Sequence, residues 1–565
     1  MSTKPVSLRD DELRRRVSLG GSFSRPAVVF LFACLVLFLG MPLRPNAYDE
    51  GIMLVAAMRV AAGQIPHRDF YAIYGPGQFY ILAGLFKLFG QTILVERIVD
   101  LIFRSLVVAT VYAIASSYFR KSIALASSLL TLTWLVGLYY NTAGFATIPV
   151  SFFNLVSTAI VAAVYTRVVP AWRMAASGAI AGLSALFRYD TGIALLCIHI
   201  CIVAIGACAQ VRGSKVRAFG SAIGPYLFGF AIITLPPLIY YLSVAPIHSF
   251  LHDIFLFPSQ YYYRARNLPF PTISLRGLHH FAVYLPFASV GISAYALLFG
   301  PLSSRGSQQT ARMSLDKREL RGFLIAFSFL TVAMYCKAFV RMSVPHMYLA
   351  TIPSLLLTAA LFQWRLTFLR PARILVYILA TLSILSPVWC ALAELRDLHL
   401  WHASMPEKLW SAARGTTPAI RKEWCAIKNP ATRGLCFFPE DDRIQAIEFV
   451  ASHTRPDQAL FLGVPGHDTI FANDNLTYFA TQRMPATRWS EFDADLQNRY
   501  DIQVQIIHEL ETNTPPYVVL DSEFQEIHEP NDSSKSSGVT LLDDYLHKKY
   551  RHIKTFGDQA IWQRV

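Results

Sequence analysis

Charge is scarce in this sequence. Only 16% of its 565 residues are Asp, Glu, Lys or Arg, and 54% are hydrophobic; a soluble chain carries about 25% charged residues. This excludes a wholly soluble protein and indicates a polytopic membrane protein. Familiar catalytic signatures are also missing. No CxxC pair, HExxH, P-loop or GxSxG elbow occurs, so none of the chemistries those motifs carry is indicated. Internal repeats and low-complexity tracts are absent. Acids are outnumbered, giving a net charge of +14. The basic residues sit in short loops between apolar runs, the positive-inside pattern of membrane topology, so a nucleic-acid partner is not expected.

A spanning helix needs about 20 mostly apolar residues. Runs near 27–43, 96–118, 122–140, 145–166, 174–187, 191–208, 219–243, 280–300, 322–340, 345–362 and 372–392 are expected to span, about eleven in all. The stretch 174–208 is divided at "FRYDTG", because Arg188 and Asp190 are costly in hydrocarbon. The run Ala27–Leu43 is followed by no small-x-small cleavage site and reads as an uncleaved anchor. Basic clusters at Arg120-Lys121, Arg167/Arg173, Arg212/Lys215/Arg217, 305–321 and Arg365/Arg370/Arg373 join the basic N-terminus, residues 1–26, in the cytoplasm. The membrane domain is then 27–392, with a first outer loop at 44–95, and residues 393–565 lie outside.

That first loop is expected to hold two short membrane-surface helices. "EGIMLVAAMRVAAG" reads as amphipathic with Arg59 facing away from its apolar side, and "QFYILAGLFKLF" is too short to span. After 393 the composition turns soluble. "ALFLGV", "PYVVLD" and "QAIWQRV" read as strands alternating with helical "DDRIQAIEFVASHT", "IQVQIIHELETN" and "LLDDYLHKKY", an α/β domain.

Candidate chemistry begins at "NAYDEG", residues 46–51, where Asp49 and Glu50 follow the first apolar run. Acids at a helix start are favoured by its dipole. A carboxylate at the water–lipid boundary is also partly desolvated, which raises its proton affinity and suits a general base. "IPHRDFYAIYGPGQFY" gathers His67, Arg68, Asp69 and Tyr74 around a Gly-Pro-Gly turn, side chains suited to binding a sugar or a headgroup. On the outer side, against the positive-inside bias, stand Arg188, Tyr262, Arg264 and Arg266, then Lys337 and Arg341 with the i, i+4 spacing of one helix face, and His346. Cations gathered there indicate an anionic ligand, a phosphate. "GHDTIFANDN" (466–475) is rich in Asn, Asp and Gly and reads as turns. Cys425 and Cys436 are the two cysteines outside apolar runs, and they bracket a short loop with Pro430 and Gly434. In an oxidising compartment they are expected to form a disulfide.

"YDEG", "VAAGQIPHRDF", "YGPGQFYILAGLFKLFG" and Arg97 together resemble the first outer loop of GT-C glycosyltransferases. The likeness is to the bacterial branch of the dolichyl-phosphate-mannose protein mannosyltransferase family (glycosyltransferase family 39), and more distantly to the lipid A aminoarabinose transferase. "RMSVPHMYLATIP" and "DNLTYFATQRMPATRWSEF" extend it. The resemblance implies a GT-C membrane domain in the bacterial cytoplasmic membrane. It implies inverting transfer of a sugar from a polyprenyl-phosphate donor to a hydroxyl of a glycan, lipid or protein acceptor. Asp49, with Glu50, is then the catalytic acid pair, and Arg188, Lys337, Arg341, His346 and Arg264 bind the donor phosphate. His67, Arg68, Asp69, Tyr74 and Tyr262 bind substrate. The resemblance leaves a divalent cation, Mg or Mn, open as cofactor. Where several relatives place a second acid, the loop between spans three and four reads "YYNTAGFA" and has no carboxylate to share a metal. A transporter or flippase of a lipid-linked saccharide is the alternative from another class, and would more naturally carry charges within its spans and repeated halves. A surface-polysaccharide polymerase or ligase is the third.

Overall fold

In the computed structural model the described residues are 24–209, 214–299, 302, 315–365, 368–397, 405–416 and 418–565. The basic N-terminus to residue 23 and parts of the basic loops at 210–213 and 303–314 lie outside them. A helix occupies each of the eleven places expected to span. They are α1 (Ser24–Leu39), α4 (Ile93–Tyr118), α5 (Lys121–Gly137), α6 (Thr147–Ala162), α7 (Ala171–Phe187), α8 (Tyr189–Ala209), α9 (Lys215–Val244), α10 (Phe281–Leu298), α11 (Leu315–Ala338), α12 (Val344–Gln363) and α13 (Arg370–Asp397). Among the described residues, eight helices are long and apolar enough to cross a membrane. The other three, α1, α5 and α7, have 16, 17 and 17 residues. The loop between α1 and α4 supplies α2 (Asp49–Ala61) and α3 (Gly77–Phe89).

Local chemistry explains the boundaries that matter. Thr92 caps α4, accepting from the Val95 amide at 3.3 Å. Helices α7 and α8 meet at Arg188, whose extended φ/ψ of −148°/105° ends the first. Its guanidinium is satisfied by Asp190 at 2.8 Å. In "NAYDEG", the Asn46 side chain accepts from the Tyr48 and Asp49 amides at 3.0 and 2.8 Å, while Glu50 reaches back to the Asn46 amide at 2.8 Å. This reciprocal pattern is close to a capping box and starts α2.

The C-terminal region contains a four-stranded sheet in the order β1-β2-β4-β3. Its strands are β1 (Phe461–Gly463), β2 (Tyr517–Asp521), β3 (Tyr550–Phe556) and β4 (Gln559–Arg564). β1 and β2 are parallel, joined through helix Tyr500–Asn513, and β4 runs antiparallel to both of its neighbours. Strand β3 was not foreseen: "YRHIKTF" is polar and exposed at most positions, so its pairing rests on the hairpin with β4. One hydrophobic cluster runs continuously from Leu37 in α1 through Phe437 to Ile561 in β4, so the C-terminal region packs directly on the helical domain. Cys425 and Cys436 form a disulfide with Cα atoms 5.2 Å apart. Trp424 Nε1 donates to the Phe437 carbonyl at 2.8 Å and closes the same loop.

Candidate active site

The site lies where α2, the Tyr74 turn and the segments around 262–266 and 337–346 meet the C-terminal stretch 471–493. Asp49 begins α2 and is partly buried. Its carboxyl has no hydrogen-bond or ion-pair partner among the described residues. Burial raises its pKa to about 6, against the opposing pull of Arg266 and Arg341. A carboxyl poised there is ionised at neutral pH yet basic enough to take a proton from a hydroxyl.

Glu50 is placed differently, which corrects its assignment to the catalytic pair. It is fully buried and held by Arg97, which donates through Nε at 2.7 Å and Nη2 at 2.8 Å. One helical turn from Asn46, its direction is inward, so the second acid of "YDEG" anchors α2 to α4. Arg97 belongs to a polar stripe on α4. Asp100 accepts from Arg104 at 2.6 Å, and Arg104 also donates to the Leu135 and Thr142 carbonyls at 3.1 and 2.7 Å. The 97-100-104 spacing is one helix face and was readable as such; the sequence reading took up only Arg97.

The cations converge. His346 lies in the field of Arg341, Lys337, Arg188 and Arg266, and its Nδ1 is 2.7 Å from Ser343 Oγ. Several of these charges are already answered. Arg188 pairs with Asp190 and lies over the Tyr74 ring at 5.3 Å. Arg341 is bridged by both oxygens of Glu529, one at 2.7 Å. It does not share a helix face with Lys337, because α11 ends at Ala338. Lys337 stands in the field of Arg188 and Asp190 with no hydrogen bond or salt bridge among the described residues. Arg264 is exposed, close to Asp495. Two positions on, Arg266 is the buried one, donating to Asp493 at 2.9 Å and to the Phe471 carbonyl at 2.8 Å. The sequence alone offered no means of choosing between the two.

The cluster at 65–74 divides. Tyr74 and Tyr262 face the site, for Tyr74 lies in the field of Tyr262, Arg188 and Asp49. Gly75 makes this possible: a Cβ there would sit 2.3 Å from the Leu186 carbonyl, so only glycine lets the turn lie against the end of α7. His67, by contrast, is fully buried against Phe250 and Tyr241, with Nδ1 3.2 Å from Asp253. Arg68 and Asp69 are an exposed clasp at 2.7–2.8 Å, and Asp69 accepts the Ile65 amide at 2.7 Å. These three hold the loop rather than face Asp49. Arg59 does not face water. It is buried, with Nη1 donating to the Thr487 carbonyl at 3.0 Å and the guanidinium 4.8 Å from the Phe70 ring.

The C-terminal stretch completes the site, which the sequence reading missed. Tyr48 donates its hydroxyl to the Phe492 carbonyl at 3.0 Å and to Asp493 at 3.2 Å. The amides of Asn475 and Leu476 both donate to the Ala47 carbonyl, at 2.9 and 3.1 Å. A Cβ on Gly51 would lie 2.7 Å from the Leu476 nitrogen, so this contact too needs glycine. "GHDTIFANDN" is therefore a docking segment. Among the described residues no group of three or more His, Cys, Asp or Glu is arranged to hold a metal. Glu50, committed to Arg97, is not free to share a metal with Asp49.

A family model described as dolichyl-phosphate-mannose-protein mannosyltransferase matches residues 74–243. A search of curated protein sequences finds no match. Among solved structures, ArnT from Cupriavidus metallidurans is similar in its apo state with a TM-score of 0.54. Bound to undecaprenyl phosphate it gives 0.53; in both cases identity is 13%, with 95% of this chain and 98% of that chain covered. The archaeal oligosaccharyltransferase AglB from Archaeoglobus fulgidus, in complex with an inhibitory peptide and a dolichol-phosphate, gives 0.46 at 14% identity, covering 90% of this chain and 70% of that one. The chain has the GT-C glycosyltransferase fold, with a C-terminal sheet-bearing region, and its residues 74–243 match the mannosyltransferase family model.

Proposed function

We propose that this protein is an inverting glycosyltransferase that moves a sugar from a polyprenyl-phosphate donor to an acceptor hydroxyl on the outer side of the bacterial cytoplasmic membrane. The observation that carries the reading is Asp49, a partly buried carboxyl with no partner among the described residues, beside a cluster of cations. Asp49 accepts the acceptor's proton as its oxygen attacks the anomeric carbon from the face opposite the departing lipid phosphate. Lys337, Arg188, Arg341, His346 and Arg266 hold that phosphate and stabilise the charge it gains. Lys337 is the freest of them, because the arginines already have carboxylate partners. The ArnT structure with undecaprenyl phosphate supports a lipid phosphate as the ligand class. The acceptor is a glycan, lipid or protein hydroxyl. The N-terminus lies in the cytoplasm and residues 393–565 outside.

The test is a transfer assay with purified protein and a panel of polyprenyl-phosphate sugars. One member should be turned over by the wild type, with Asp49→Asn reduced roughly 10²–10⁴-fold, the usual contribution of a general base. Turnover unchanged in Asp49→Asn refutes the reading.

A further inference from the structure

A second acid stands beside Asp49, on the far side of the sequence. Asn473 brackets residue 491, donating to the Ser490 carbonyl and accepting from the Phe492 amide, both at 3.0 Å. The Glu491 carbonyl accepts from Gln497 Nε2 at 2.8 Å. Arg59 holds Ser490 Oγ at 3.2 Å, and Tyr48 holds the Phe492 carbonyl. The backbone of Glu491 is thus fixed from both sides and its residue is only 5% exposed. Yet its carboxyl has no hydrogen-bond or ion-pair partner among the described residues. A carboxyl that no protein group answers, on a residue this buried, is open to a ligand.

Its surroundings say what kind. Asp493, Asp49, Asp253 and Arg266 act on it, and it in turn lies in the field of Tyr48, Tyr71, Tyr74 and Tyr189. Arg266 is already paired with Asp493. Burial, then the negative charges of Asp493 and Asp49, push the Glu491 carboxyl well above the usual carboxylate range. When protonated it both donates and accepts, the pattern a sugar hydroxyl requires. Neutral, it also tolerates a lipid phosphate nearby.

We propose that Glu491 is a substrate-positioning carboxyl that hydrogen-bonds a hydroxyl of the donor's sugar beside Asp49. This rests on the polyprenyl-phosphate reading above. No bond is made or broken at Glu491. It orients the sugar, while the cations hold the phosphate.

The experiment measures binding of bare undecaprenyl phosphate and of a panel of polyprenyl-phosphate sugars to the full-length protein in nanodiscs. In wild type one sugar-bearing lipid should bind more tightly than the bare lipid. Glu491→Ala, and Glu491→Met, which keeps the volume, should weaken that sugar-bearing lipid roughly tenfold, the scale of one buried hydrogen bond. Bare lipid phosphate should stay within about twofold and serves as the control for folding. Glu491→Gln should retain most of the preference, since an amide still donates and accepts. If the wild type discriminates and both apolar variants keep its full preference, or lose both lipids equally, the role of Glu491 is refuted and the donor reading stands. If the wild type prefers no sugar-bearing lipid over bare phosphate, both fall.

Discussion

Asp49 and Glu50 are neighbours of the same charge, and their substitutions should have opposite consequences. Glu50 is completely buried and accepts three hydrogen bonds, from Arg97 Nε, Arg97 Nη2 and the Asn46 amide, at 2.7, 2.8 and 2.8 Å. Glu50→Ala removes the partner of a fully buried guanidinium, which typically costs about 3–5 kcal/mol. Asp49 has no partner to lose among the described residues. Its carboxyl pKa rises from 3.8 to about 6 on folding. A raised carboxyl pKa means the native state binds more protons than the unfolded one between those values, so stability falls as pH rises from about 4 to about 6 and stays lower above. Two units correspond to as much as ~3 kcal/mol of destabilisation at neutral pH. Asp49→Asn removes that cost, so it should melt no lower than wild type at pH 7, and higher if the shift is fully expressed. Melting curves of detergent-purified protein at pH 5 and pH 7.5, beside transfer assays, separate the two residues. Glu50→Ala should lose stability and expression first. Asp49→Asn should lose turnover alone. A stable Glu50→Ala protein without activity, or a strongly destabilised Asp49→Asn protein, would sink the division of roles.

Wild-type turnover should fall as pH drops through about 6, where Asp49 takes up its proton, and a flat profile from pH 5 to 8 would count against Asp49 as base. Lys337→Ala should weaken binding of undecaprenyl phosphate by roughly 1.5–3 kcal/mol, the value of a lost charge-assisted hydrogen bond, measured by titration in nanodiscs. Gly75→Ala should cut activity with normal membrane insertion, because its Cβ meets the Leu186 carbonyl and displaces the Tyr74 turn from Arg188; unaltered kinetics would show that the turn has room to move. Replacing Cys425 and Cys436 by serine should cost roughly 2.5–3 kcal/mol in the C-terminal region, the loop-closure entropy of so short a loop, read as earlier proteolysis between residues 414 and 440.

Much of this architecture was legible because the bilayer imposes a simple rule on apolar length, and Arg188 with Asp190 marked the break between α7 and α8. The start of α2 at Asp49 was legible too, since acids precede an apolar helical run there. What could not be read were choices between near neighbours and contacts across the chain. Arg264 and Arg266 sit two apart in an irregular helical segment, where sequence does not say which turns inward. His67, Arg68 and Asp69 have the composition of a binding loop, but Arg68 and Asp69 pair with each other and His67 turns its Nδ1 to Asp253. Glu491 and Asp493 lie in a loop whose burial depends on docking against Tyr48, Arg59 and Arg266, and no local pattern records that.

The hydrogen bond from Tyr48 to Phe492 joins residues 444 apart in sequence. Its consequence concerns biogenesis. The helical domain can insert span by span while the ribosome is still working, but the site around Asp49 stays open until the final quarter of the chain has docked. Contacts of such long range form late. A chain interrupted before residue 471 would be an inserted membrane protein with an exposed Asp49 and an unanswered Arg266. The site around Asp49 is therefore assembled in one last step, when the stretch 471–493 docks against α2.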